Sequence, residues 1–102
     1  EAAGTDVQLA AEALALGYTG SKHVAPHSAV MAGGQRNQPV GFSGRGRLKD
    51  SQYGVQLAEK LGRQALIGTA AATVFGQMVE SGMGESNDSE LIDALRALSG
   101  KR

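Results

Sequence analysis

The chain has no cysteine and no tryptophan, and its aromatic side chains are confined to Tyr18, Phe42, Tyr53 and Phe75. Without cysteine there is no disulfide framework and no thiolate metal site, as in proteins of reducing compartments. So few rings also exclude a core built on stacked aromatics. A preponderance of one charge is missing as well, because ten Lys and Arg balance ten Asp and Glu. No global field therefore draws the chain onto nucleic acid or an anionic membrane, and any electrostatic role is local. No apolar run approaches the ~18 residues of a membrane span, and no leader pattern is visible at Glu1. A cytoplasmic protein with neither a nucleic-acid nor a membrane partner is expected.

Small residues are what the chain has in quantity. Apolar residues make up 41% of it, many of them alanine, and there are 15 glycines. At 102 residues one domain with a modest core is feasible, built from closely approaching helices. Thr5 with Gln8 predicts a capping box opening a first helix. That helix carries Leu9, Ala13 and Leu16 on one stripe and Val7, Ala11 and Leu14 on another, so it should be buried on most sides. Gly17 and Gly20 end it, and Pro26 suits the first turn of a second helix reaching about Ala32. Helical pattern resumes near Leu48, with Tyr53, Leu57 and Leu61 spaced by four and Gly62 as terminator. Ile67, Ala71, Val74 and Met78 form the next stripe, closed by Gly82. A last helix starts around Asn87, presents Leu91, Ile92, Leu95 and Leu98, and ends at Gly100. No stretch alternates with period two. The expected fold is all-α, a bundle-like arrangement of four to five helices over residues 1–102.

The chemistry-bearing stretch is Gly41-Phe42-Ser43-Gly44-Arg45-Gly46-Arg47-Leu48-Lys49-Asp50. From Arg36 to Lys49 it holds Arg36, Arg45, Arg47 and Lys49 with no acid before Asp50, and its glycines let backbone amides approach an anion. A phosphate or carboxylate would suit it, and so would solvent. Gly41 and Gly46 have P-loop spacing, but Arg47-Leu48 stands where Lys-Ser/Thr is needed. Gly44-Arg45-Gly46 opens like a dinucleotide fingerprint, but Lys49 occupies the third glycine position and no strand precedes it. His23 and His27, four apart, have the spacing of zinc ligands on a helix. Pro26 intervenes and no third ligand is suitably placed, so they read as surface or capping residues and no metal is expected. No pair of carboxylates is brought together for acid–base work, and no serine sits in Gly-x-Ser-x-Gly.

An ordered series of segments resembles the C-terminal helical domain of the β-hydroxyacid dehydrogenases, the family of 3-hydroxyisobutyrate dehydrogenase and tartronate semialdehyde reductase. Ala11-Glu12-Ala13-Leu14-Ala15-Leu16-Gly17 looks like its "AEALALG" helix. Val30-Met31-Ala32-Gly33-Gly34-Gln35-Arg36-Asn37 is similar to its short helix and Arg-containing turn. Phe42 stands seven residues before Lys49-Asp50, as the family's aromatic stands before its Lys-Asp. Leu57-Ala58-Glu59-Lys60-Leu61-Gly62 matches "LAxxLG", and Gly82-Met83-Gly84-Glu85-Ser86-Asn87-Asp88-Ser89 looks like "GxGxxDxS".

The resemblance implies an upstream Rossmann domain that binds NAD or NADP, with this domain closing the substrate cleft and supplying much of a homo-oligomer contact. It implies that Lys49 reaches the cofactor, that Asp50 orients the helix start and that Phe42 packs beside the nicotinamide. Arg36 and Arg45 are the candidates for the anionic group of a small hydroxy acid. The family's dinucleotide fingerprint, Ser-Gly-Gly segment and catalytic lysine precede the region covered and are not found in this chain, which is therefore not expected to transfer hydride alone. Gly44 and Gly46 replace larger residues of the family, and Ala65 stands near a usual proline. The contrasting expectation is a non-enzymatic helical interaction module; an anion- or RNA-binding loop from Arg36 to Lys49 ranks below both.

Overall fold

The computed structural model describes residues 1–34, 36 and 38–100. It is all-helical: α1 spans Val7–Leu16, α2 Val24–Gly33, α3 Gly44–Lys60, α4 Leu66–Met78 and α5 Leu91–Leu98. A π-type turn, Val79–Met83, prolongs α4, and a 3-10 turn, Asp88–Glu90, leads into α5. The chain forms two hairpins. In one, α1 packs on α2; in the other, α3 packs on α4, with α5 against α4. The 3-10 turn touches both α2 and α5 and so lies between them.

Local chemistry explains the boundaries. Asp6, not Thr5, caps α1: its Oδ1 accepts from the amides of Gln8 and Leu9, both at 3.1 Å. A carboxylate is the stronger acceptor at this positive helix end. Ser21 serves α2 in the same way, its Oγ accepting from Val24 N at 2.9 Å. α3 begins four residues earlier than its hydrophobic pattern suggests, because Ser43 Oγ accepts from Gly46 N at 3.0 Å. Its end is a Schellman arrangement. Gly62, at φ +69°, donates to Glu59 O and Arg63 donates to Ala58 O, which only a left-handed residue permits. Gly82, at φ +87°, breaks the π-type turn.

Little of this chain is interior. Among the described residues only Ala11, Met78 and Ala94 are buried apolar side chains, and of these Met78 alone is fully enclosed. The face of α3 that meets α4 is Leu48, Ser51, Val55 and Ala58, whereas the stripe Tyr53, Leu57 and Leu61 is exposed. On α4, Met78 is enclosed but Leu66 and Ile67 face outward. The expectation that α1 is buried on most sides fails here: Ala11 is covered, and Leu9, Ala13 and Leu16 are exposed, because α2 is the main element packed against it. The total accessible area is 7002 Å², against about 5,400 Å² for a folded monomer of this mass. The Cα radius of gyration is 14.7 Å, where a compact chain of this length gives about 13 Å.

Candidate functional site

The loop before α3 and the loop before α5 are zipped together by main-chain bonds. Asp88 N donates to Phe42 O (2.8 Å), Gly44 N to Ser86 O (3.1 Å) and Arg45 N to Gly84 O (2.8 Å). Asn87 Oδ1 accepts from Gly41 N at 3.0 Å. This pairing lets the first turn of α3 pass so close to α4 that there is no room for a side chain at Gly44. An added Cβ there would lie 2.5 Å from Met78 Sδ, and one at Gly46 would lie 2.7 Å from the Phe42 ring. The glycines that look like helix breakers are thus the residues that allow the helix start to dock.

At this junction sits a buried carboxylate. Asp88 is only 5% exposed; its Oδ2 accepts from Arg47 Nε at 2.6 Å and its Oδ1 faces His27 Nε2 at 2.8 Å. Arg47 in turn lies over the Phe42 ring, 4.2 Å from its centroid, in a cation–π contact. One acid therefore joins α2, α3 and the turn before α5. His27, read from the sequence as a surface or capping residue, is instead this acid's partner. His23 does occupy the N-cap position of α2 but makes no side-chain cap there. Among the described residues no group of three His, Cys, Asp or Glu can hold a metal.

Burial by itself would raise the Asp88 pKa; the hydrogen bonds and positive charges of Arg47 and His27 outweigh it and hold the carboxyl below its ordinary 3.8. The sign for stability follows from linkage. With the folded value below the unfolded one, the contribution is present above the unfolded value and disappears as pH falls through the folded value. Urea midpoints followed from about pH 6 down to about pH 2 are expected to fall, and Asp88→Asn is expected to flatten that fall. An unchanged slope in the variant would separate Asp88 from the acid transition.

The residues singled out from the sequence do not converge on one pocket. Lys49 and Asp50 lie in the second turn of α3, exposed and without a side-chain hydrogen bond or ion pair among the described residues. Asp50 therefore does not orient the helix start, which Ser43 caps. Phe42 is the second residue before α3, a partly exposed residue whose ring lies beside Arg47. Arg45 pairs with Glu85 at 2.7 Å on the surface. Arg36 pairs with Asp93 of α5, and Asp93 also meets Arg96 at 3.1 Å. Gln35 and Asn37 of the Arg36 turn lie outside the described residues.

The pairing of Asp88 with Arg47 and His27 escaped the sequence reading because the partners lie 41 and 61 positions apart and no local spacing announces them. Among the described residues no helix is long and apolar enough to cross a membrane. The chain matches no known family model and no curated protein.

Proposed function

We propose that the chain is the C-terminal helical domain of an NAD(P)-dependent β-hydroxyacid dehydrogenase, acting with an upstream Rossmann domain on a small β-hydroxy acid or semialdehyde. The observation that carries this reading is the ordered series of resembling segments, which fall on α1, the end of α2, the two ends of α3 and the loop before α5. In that arrangement Lys49 stands on α3 with its ammonium uncommitted, and Phe42 leads into the same helix. An exposed ammonium with no protein partner suits a phosphate or carboxylate of a ligand. The half-exposed Phe42 ring, held on one side by Arg47, suits a flat aromatic group on the other. Arg36 fits its assigned anion role less well, since its guanidinium already meets Asp93. Arg45, 60% exposed beside an exposed Glu85, is the better candidate.

Nicotinamide, when bound, supplies the hydride acceptor or donor. This chain's residues would hold the ligand's charge, shield the cleft and carry the subunit contact. The excess surface supports the last role. α4 has no charged residue between Leu66 and Met78, and its outward Leu66 and Ile67 together with Tyr53, Leu57 and Leu61 of α3 ask for cover by another domain or subunit.

The same surface favours the second reading, a helical interaction module without cofactor chemistry. The two are separated by titrating NADH and NADPH into the protein that joins this chain to its upstream region. Lys49→Ala is expected to weaken binding by about tenfold, the value of one charge-assisted contact. Equal affinity in parent and variant removes Lys49 from the cofactor site, and no binding by either leaves the interaction module as the account.

A further inference from the structure

An open groove of about 240 Å³ runs between α1, α2 and α5, with Leu14, Met31 and Ile92 on its three sides. Its lining is apolar almost throughout. Ser28 contributes to it, but the Ser28 hydroxyl is turned back on its own helix, donating to the Val24 carbonyl at 2.7 Å. Among the described residues the charged side chains that line the groove are Glu1 and Arg96. A neighbouring cavity shares both and adds Arg36 and Asp93.

Arg96 already holds a carboxylate at the edge of this groove. Its Nε donates to Glu1 Oε2 at 3.0 Å and its Nη2 to Glu1 Oε1 at 2.5 Å, the two-pronged arrangement in which a guanidinium binds a carboxylate best. Its Nη1 donates to Asp93 Oδ1 at 3.1 Å, which fixes the direction of the fork. Glu1 is 47% exposed, and an ion pair so open to water contributes little, so another carboxylate can take its place. One that carries an aliphatic tail gains, in addition, the burial of that tail. We propose that the groove binds an aliphatic monocarboxylate, its carboxylate on the Arg96 fork in place of Glu1 and its tail along Leu14, Met31 and Ile92.

The charge balance selects this ligand class. The linings of the two cavities together hold two arginines and two acids. With Glu1 displaced from Arg96 they keep one positive charge in excess, which a monocarboxylate neutralises and a phosphate dianion or dicarboxylate overshoots. Phe42, Arg45, Lys49 and Asp50 line neither cavity, so this site stands or falls apart from the dehydrogenase reading.

Titration calorimetry of the full chain with hexanoate, octanoate and 1-octanol, with the methyl resonances of Met31 and Ile92 followed in parallel, tests the assignment. Octanoate is expected to bind and to shift both methyls. Hexanoate, two methylenes shorter, is expected to bind about fifteenfold more weakly, and 1-octanol, which lacks the charge, about tenfold more weakly than octanoate. Arg96→Gln is expected to bring octanoate down to the level of 1-octanol. Glu1→Gln removes the competing carboxylate and is expected to tighten octanoate binding by about two- to fivefold; it leaves the cation in place and keeps the test decisive where Arg96→Gln fails to fold. No binding of octanoate, equal affinity for octanoate and 1-octanol, binding that leaves both methyls unmoved, or no gain in Glu1→Gln overturns the proposal.

Discussion

Asp88→Ala is expected to lower the stability of this chain by about 2–3 kcal/mol, read from urea unfolding near neutral pH. The change leaves Arg47 and His27 without the acceptor that orients them, and it empties a nearly enclosed position where three elements meet. The loss stays below that of a fully buried ion pair because Arg47 and His27 are 33% and 26% exposed, so water recovers part of their solvation. Arg45→Ala is the matched comparison. It breaks an ion pair of similar length between two exposed side chains and is expected to change stability by less than about 0.5 kcal/mol. Equal effects of the two substitutions would mean that Asp88 is not a junction and that the helices are positioned by apolar contacts alone.

The second large effect separates glycines that look alike in the sequence. Gly44→Ala is expected to destabilise by about 1–2 kcal/mol, since overpacking costs more than the gain in helix propensity returns. The new Cβ would approach Met78 Sδ to 2.5 Å and Cε to 2.9 Å, and Met78, which has no accessible surface, has little room to move aside. Gly54→Ala, ten residues along the same helix and with no atom within 4 Å of the added Cβ, is expected to stabilise by about 1 kcal/mol. Thermal or urea unfolding of the two variants is therefore expected to bracket the parent. If both stabilise, the α3 start is not closely docked on α4.

The helices themselves were legible. Of the expected stripe Ile67, Ala71, Val74 and Met78 all but the outward Ile67 turn inward, Gly62 terminates α3, and the last helix runs to Leu98 although a 3-10 turn replaces its expected start near Asn87; such signals are local and act through backbone geometry. Two other boundaries differ from the sequence pattern. The sequence puts the start of α3 near Leu48 because Gly44 and Gly46 have poor helix propensity, and the tight contact that requires glycine at 44 comes from Met78, on the next helix in the chain. The Thr-x-x-Gln spacing suits a capping box on Thr5, while the realised cap is the adjacent carboxylate of Asp6.

The site divides in the same way. The row of basic residues from Arg36 to Lys49 was visible at once, but which of them are committed was not. The fold ties Arg36 to Asp93, Arg45 to Glu85 and Arg47 to Asp88, and leaves Lys49 uncommitted on its helix.

By itself, then, the sequence determined an all-α chain, the approximate number and order of its helices, and the lack of cysteine chemistry and of a charge excess. These follow from composition and from periods of three to four residues, which the backbone enforces locally. The tertiary structure decided which carboxylate pairs with which cation, which apolar stripes stay uncovered, and that His27 and Asp88 join the two hairpins. Those outcomes depend on groups far apart in the chain, 41 and 61 residues for the two Asp88 pairs, being brought within hydrogen-bonding distance, and only the packing of one helix on another sets that distance.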